Sequence, residues 1–278
     1  MLAKLSLPHF LLPFALNLLF APPGQKTYPL ALRFESGKTI KYHEEISIES
    51  QSSHKAQSQA HRQQGSHVIT LRVTHVDTEA ATMEVSYESV KASAQILSAP
   101  SSITADQRKK MEQGFASALK QELSGPPRIQ KITARGVATL RYQLSENRYL
   151  IIERAAFMGV ILPDTPKALN EPWKFRVTPS SPDGGPILEY TYKIVGAKTL
   201  PDERAYRIAY SASFSTTEKE GGMTGTMKLN VQGSVLIGER SQSLLEGERI
   251  ITQERTLTHP REGTLRSTQK SIQRFKKL

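Results

Sequence analysis

Apolar side chains recur at every second position over stretches of unusual reach. That pattern restricts what this chain can fold into more than any other feature of it. Tyr28, Leu30, Leu32 and Phe34 form one such set. Ile40, Tyr42, Ile46 and Ile48 form another, with one gap at Glu44. Ile69, Leu71 and Val73 follow, then Ala81, Met83, Val85 and Tyr87. A period of two places each set on one face of a strand. Glu35-Ser36-Gly37 and Asp77-Thr78-Glu79 read as turns between them, so residues 27–95 are expected to form four antiparallel strands. The polar stretch 49–66 has no apolar face. It is either a solvated continuation of two strands or a loop, with the loop favoured. After Tyr87 the apolar phase moves to Val90, Ala92 and Ala94, which predicts a bulge.

The middle of the chain has a different period. Met111, Phe115 and Leu119 recur every four residues, with Ala118 and Leu123 beside them, which predicts an amphipathic helix over 104–123. Thr104 and Gln107 have capping-box spacing, and Gly125-Pro126-Pro127 stops the helix. A short strand is expected around 129–142. A second helix is expected from Ser145, with Leu150, Ile151, Ala155 and Phe157 packed and Leu162-Pro163-Asp164 closing it.

Alternation returns with Trp173, Phe175 and Val177, then Leu188, Tyr190, Tyr192 and Ile194, then Tyr206, Ile208, Tyr210, Ala212 and Phe214. The set Met223, Met227, Leu229, Val231, Val235 and Ile237 follows, and two more polar strands end the chain. Strands here run to about 15 residues, roughly 50 Å, where five or six residues are usual. Strands of that length twist and coil. The expected fold class is therefore α+β and mainly antiparallel β: a long-stranded curled sheet, a half-barrel or barrel, with two central helices covering its apolar face. The expected organisation is a signal peptide over 1–21 and one β-rich domain over 22–278. That domain comprises a first meander (27–95), a helical middle (104–158) and a second meander (172–276).

The order of these features resembles that of a group of uncharacterised exported bacterial β-rich proteins. The matching residues are Leu32-Arg33-Phe34-Glu35-Ser36-Gly37-Lys38-Thr39-Ile40-Lys41-Tyr42, then Leu162-Pro163-Asp164, then Glu171-Pro172-Trp173. The group carries no established activity to transfer. At the level of fold alone, the expected sheet is similar to the half-barrel of periplasmic lipoprotein carriers, and fold does not fix function.

Export is read from the N-terminus. Lys4 precedes an apolar run from Leu5 to Phe20 that contains Pro8 and Pro13 and no charge. That is the form of a secretory signal peptide, and it is short for a spanning helix. A periplasmic or extracellular location follows as an expectation. With no cysteine in 278 residues, the exported fold relies on packing in place of disulfides.

The sequence has no phosphate-binding glycine loop, no nucleophile elbow and no His-Glu-x-x-His helix. No cofactor is implied. Five of the seven histidines fall between His43 and His75, but solvated side chains are the favoured reading over a metal site. Trp173 with Tyr190, Tyr192, Tyr206 and Tyr210 would line one face of neighbouring strands. They are the candidates for contact with an apolar ligand, with cross-strand packing as the plainer alternative. Net charge is +11, and Lys270, Arg274, Lys276 and Lys277 concentrate cations at the C-terminus as candidates for anion binding. Three functions are weighed. The first is a non-catalytic exported envelope protein that takes an apolar or amphipathic ligand, such as a lipid, on the concave face of the sheet. The second is a surface module that binds anionic membrane or glycan through its basic residues. The third and least favoured is a hydrolase. The implied partners are a lipid or an anionic envelope polymer, and nucleic acid is not expected.

Overall fold

The computed structural model describes residues 26–55, 57–124, 128–145, 148–177, 179–180, 188–220, 223–261 and 263–278. The segment 1–21 expected to be a signal peptide, the expected Gly125–Pro127 stop and the expected turn at 221–222 lie outside the described residues.

The elements in chain order are β1 (Thr27–Tyr28), β2 (Thr39–His54), β3 (Gln57–Val76), β4 (Ala80–Ser98), α1 (Ala105–Leu123), β5 (Arg128–Thr133), β6 (Val137–Ser145), β7 (Arg148–Ala156), β8 (Lys167–Ala168), β9 (Pro172–Val177), β10 (Pro179–Ser180), β11 (Leu188–Thr199), β12 (Arg204–Glu220), β13 (Met223–Gly238), β14 (Leu244–His259) and β15 (Gly263–Lys277). Apart from the small β1–β8 pair, every strand joins one antiparallel sheet of 13 strands. Its order is β10-β7-β6-β5-β4-β3-β2-β15-β14-β13-β12-β11-β9. The first and second meanders meet where β2 pairs with β15, from His54↔Leu265 to Tyr42↔Lys277.

The expected fold class needs correction. Among the described residues there is one α-helix, and the sheet has a linear strand order in place of a curled half-barrel or barrel under two central helices. The second helix fails because residues 148–156 are a strand. β7 pairs antiparallel with β6, through Tyr142↔Leu150 and Leu140↔Ile152 among others. Tyr149, Leu150, Ile151 and Ile152 make a run of aromatic and branched side chains that suits a pleated ribbon better than a helix. Strand length does not produce a rolled sheet either. Residues 49–54 of β2, 57–64 of β3 and 266–271 of β15 are mainly Ser, Thr, Gln and charged on both faces, so the far halves of the hairpins have little to enclose.

The stretch 49–66, favoured above as a loop, continues β2 and β3 in register as far as His54↔Gln57. The expected phase shift is present. Ser89 takes a positive φ of 55°, and the β3–β4 register shifts between Ser66 and Val68. One extra residue on β4 keeps Ala92 and Ile96 on the same face as Val85.

The core lies at one end of the sheet. Leu71, Val73, Met83, Ile132, Ile194, Ile208 and Ile237 are each 1% exposed or less. Burying one such side chain stabilises the fold by about 2 kcal/mol. Two irregular segments supply the cover expected of the missing helix. Phe157, Val160, Ile161 and Leu162 are buried, with the Leu162 N–H donating to Arg135 O at 2.8 Å. Leu32 is buried where its N–H meets Ala134 O at 2.6 Å, and the next N–H, Arg33, donates to Gln242 O at 2.9 Å.

Helix α1 starts as its sequence predicts. Thr104 Oγ1 accepts from the Gln107 N–H at 3.2 Å, and Gln107 Oε1 accepts from the Thr104 N–H at 2.9 Å. Its buried residues, Leu119 and Leu123, close over Gly65 of β3, where a Cβ would stand 2.5 Å from Leu123 Cδ1. A side chain at that position would make the Leu123 and Leu119 methyls shift, and the glycine backbone itself is not strained.

Candidate functional site

The aromatic candidates lie inside the protein. Trp173, Tyr190, Tyr192, Tyr206 and Tyr210 are all buried, Tyr192 completely. Trp173 and Tyr192 stack with centroids 5.7 Å apart, and Tyr190 and Tyr210 lean on Tyr192 at 5.9 and 5.6 Å. Trp173 Nε1 donates to Ile161 O at 2.8 Å, which ties the cluster to the covering segment. The Tyr206 hydroxyl donates to Glu239, and its ring lies 4.8 Å from that of Tyr28. Burial holds the Tyr192 hydroxyl well above the usual tyrosine range and pushes Tyr210 up to about 12. Burial, reinforced by Glu239, pushes Tyr206 to about 12 as well. These side chains fill the space that an apolar ligand would need.

The cationic candidates do not form one patch. Alternation along β15 puts Lys270, Arg274 and Lys276 on the face away from the core and Lys277 on the other face, where its Nζ donates to Ser243 Oγ at 2.9 Å. Lys270 stands between Glu49 of β2 and Thr252 of β14. Arg274 Nε donates to Glu248 Oε2 at 2.6 Å, and Glu45 flanks it on β2.

Register brings Arg274 and Lys276 into a groove on this outer face. One row across the sheet reads Lys91, Ser66, Glu45, Arg274, Glu248, Ser234. The neighbouring row reads His43, Lys276, Glu246, Leu236, Arg207. Two cavities, of about 410 and 440 Å³, follow these rows and share Glu45 and Arg274. Glu246 receives Lys198 and Arg207 at 3.9 Å each. The groove thus offers fixed ammonium, guanidinium, hydroxyl and amide groups with carboxylates between them, all carried on a seven-stranded backbone that needs no ordering on binding.

The histidines do not converge. His43 lies in the groove. His61 stacks on Phe115 of α1 at 4.2 Å and 10°. His67 is buried beside Glu44, with Nε2 and Oε2 2.8 Å apart. His61 and His67 are six residues apart on one strand, about 20 Å. Among the described residues no group of three or more His, Cys, Asp or Glu is placed to hold a metal ion.

Sequence reasoning missed His43, Glu45, Lys91, Arg207, Glu246 and Glu248. Parity along each strand shows which of them share a face within one strand. Only the β2–β15 register brings residue 45 beside residue 274.

No model of a known protein family matches the chain, and no curated protein sequence matches it. Among solved structures, one titled "Lipid-protein interactions in lipovitellin" has a TM-score of 0.45 at 12% identity over 88% of this chain. This chain spans 25% of the length of that lipovitellin chain. The CymD monoaromatic hydrocarbon channel has a TM-score of 0.20 at 10% identity, covering 88% of this chain and 89% of its own. Likeness at that level assigns no ligand to this chain.

Proposed function

We propose that the protein is an exported, non-catalytic binding module, and that its ligand is an extended anionic glycan seated in the outer groove. The observation that supports this reading is the run of two joined cavities across seven strands, with Lys91, Arg207, Arg274 and Lys276 spaced along it. A polymer bearing carboxylate or phosphate groups meets these cations in turn, while Ser47, Gln64, Ser66 and Ser234 hydrogen-bond its hydroxyls. The net charge of +11 draws such a polymer in. Two of the groove carboxylates are engaged by cations, Glu248 by Arg274 and Glu246 by Arg207, which suits holding a ligand better than proton transfer. The lipid reading has less support, because the aromatic face that would receive a chain is filled by its own packing.

The test is equilibrium binding of the full chain to polygalacturonate and to neutral dextran. The proposal predicts binding to the charged polymer alone, weakening as salt rises from about 50 to about 200 mM. It also predicts at least a tenfold loss for the Arg274→Glu, Lys276→Glu double variant. Undiminished binding by a folded double variant would contradict it. So would a stoichiometric co-purified lipid in native mass spectrometry with no binding to polygalacturonate.

A further inference from the structure

A second concavity lies on the opposite face of the same strands, beside α1 and toward the β2–β3 turn. Its volume is about 170 Å³. Register assembles its wall from two rows of the face that farther along carries Tyr42 and Phe275. His61, Ser50, Gln269 and Gln253 stand in line across β3, β2, β15 and β14, and Gln59, Ser52 and Ser267 form the next row. All of these residues line the cavity.

The chemistry of this lining is unlike that of the outer groove. Every lining side chain is a hydroxyl, an amide or the His61 imidazole, and none is Asp, Glu, Lys or Arg. The nearest charge in register on this face, Arg255, stands opposite Ser267 and is not part of the wall. The wall itself offers an ion no counter-charge, and an apolar group would leave Gln amides unpaired. Glutamine amides and serine hydroxyls donate and accept together, as the hydroxyls of a sugar do.

His61 is held in place for such a role. Its ring lies flat on Phe115 at 4.2 Å, and its Nε2 is 3.1 Å from Gln63 Nε2. An amide N–H that donates to Nε2 leaves the ring proton on Nδ1. Burial lowers the pKa of His61, which favours the neutral ring and an uncharged wall. The volume is that of a handful of water molecules, which limits the occupant to one small unit.

We infer that this cavity is a binding site for one neutral sugar residue or polyol, recognised by the amides of Gln59, Gln253 and Gln269 and the hydroxyls of Ser50 and Ser52. The site does not depend on the outer groove, and its ligand carries no charge.

The experiment is an NMR titration of the full chain that follows the glutamine side-chain amide signals. Maltotriose, chitotriose and glycerol are added separately, with inorganic phosphate as the charged comparison. The expected result is a saturating shift of the Gln59, Gln253 and Gln269 amide pairs with at least one neutral probe, at a Kd on the order of millimolar. Phosphate leaves those signals in place. Gln269→Glu, which sets a charge in the wall without changing its size, weakens the shift at least tenfold while the rest of the spectrum stays native. If no neutral probe moves these signals, or if phosphate moves them equally, the inference is overturned. Both readings use the unmodified chain, so a variant that fails to fold does not decide the matter. Loss of polygalacturonate binding by the groove double variant leaves this titration unchanged.

Discussion

The buried tyrosines differ in one atom's surroundings, and that difference predicts opposite responses. Tyr42 donates its hydroxyl to Leu244 O at 3.2 Å, across the intervening β15. The Tyr192 hydroxyl is buried beside the Ile161 backbone, with no hydrogen bond of normal geometry among the described residues. Removing a hydrogen-bonded hydroxyl costs about 1 kcal/mol and leaves the partner unpaired, whereas removing an unpaired one costs nothing or stabilises. Urea unfolding of Tyr42→Phe should therefore show the loss, and Tyr192→Phe should match or exceed the parent. The same burial sets an alkaline limit. Tyr206 and Tyr210 are pushed to about 12 by burial, so the unfolded chain releases these protons first as pH rises. Their contribution is fully present below about pH 10 and is lost between about 10 and 12. Melting temperatures measured across that window should fall, and tyrosinate absorbance should appear together with unfolding. Gly233 is a steric case. A Cβ there would stand 2.4 Å from Tyr210 Cζ and 2.6 Å from the backbone oxygen of Glu248. Backbone cannot retreat as a side chain can, so Gly233→Ala should cost about 1 to 3 kcal/mol in the same urea measurement.

At the scale of elements, α1 tests how a helix is written into sequence. Its cap, its four-residue stripe and its buried Leu119 and Leu123 were all legible, because capping and amphipathicity are local. Thr104→Ala removes the Gln107 N–H acceptor and should lower stability by about 1 kcal/mol, read by chemical denaturation. The strands were legible for the same reason, including the shift of face near Ser89. Residues 148–156 were not. Leu150, Ile151 and Ala155 fit a loose helical stripe, yet the run belongs to β7 because β6 is there to pair with it. Pairing is a non-local fact, and a short apolar run does not carry it. The polar halves of β2 and β3 were misjudged in the other direction. Residues with no apolar face form strands there because backbone hydrogen bonds to β15 and β4 satisfy them on both sides.

Over the whole molecule, apolar packing is gathered at one end of the sheet and polar faces extend from it. The face away from the core carries the outer groove. Its chemistry was half visible in sequence: Arg274 and Lys276 stand out as cations, but their carboxylate neighbours come from strands far away in the chain. Parity gives faces; only register gives neighbours. The proposed function requires that an anionic polymer lie along the rows that hold Lys91 and Lys276. Carbodiimide coupling of bound polygalacturonate to lysine, with the modified peptides mapped by mass spectrometry, reads this directly. Coupling concentrated at Lys91 and Lys276, and suppressed by high salt, is the predicted result. Coupling spread evenly over the surface lysines, or confined to Lys174 and Lys193 on β9 and β11, would contradict it.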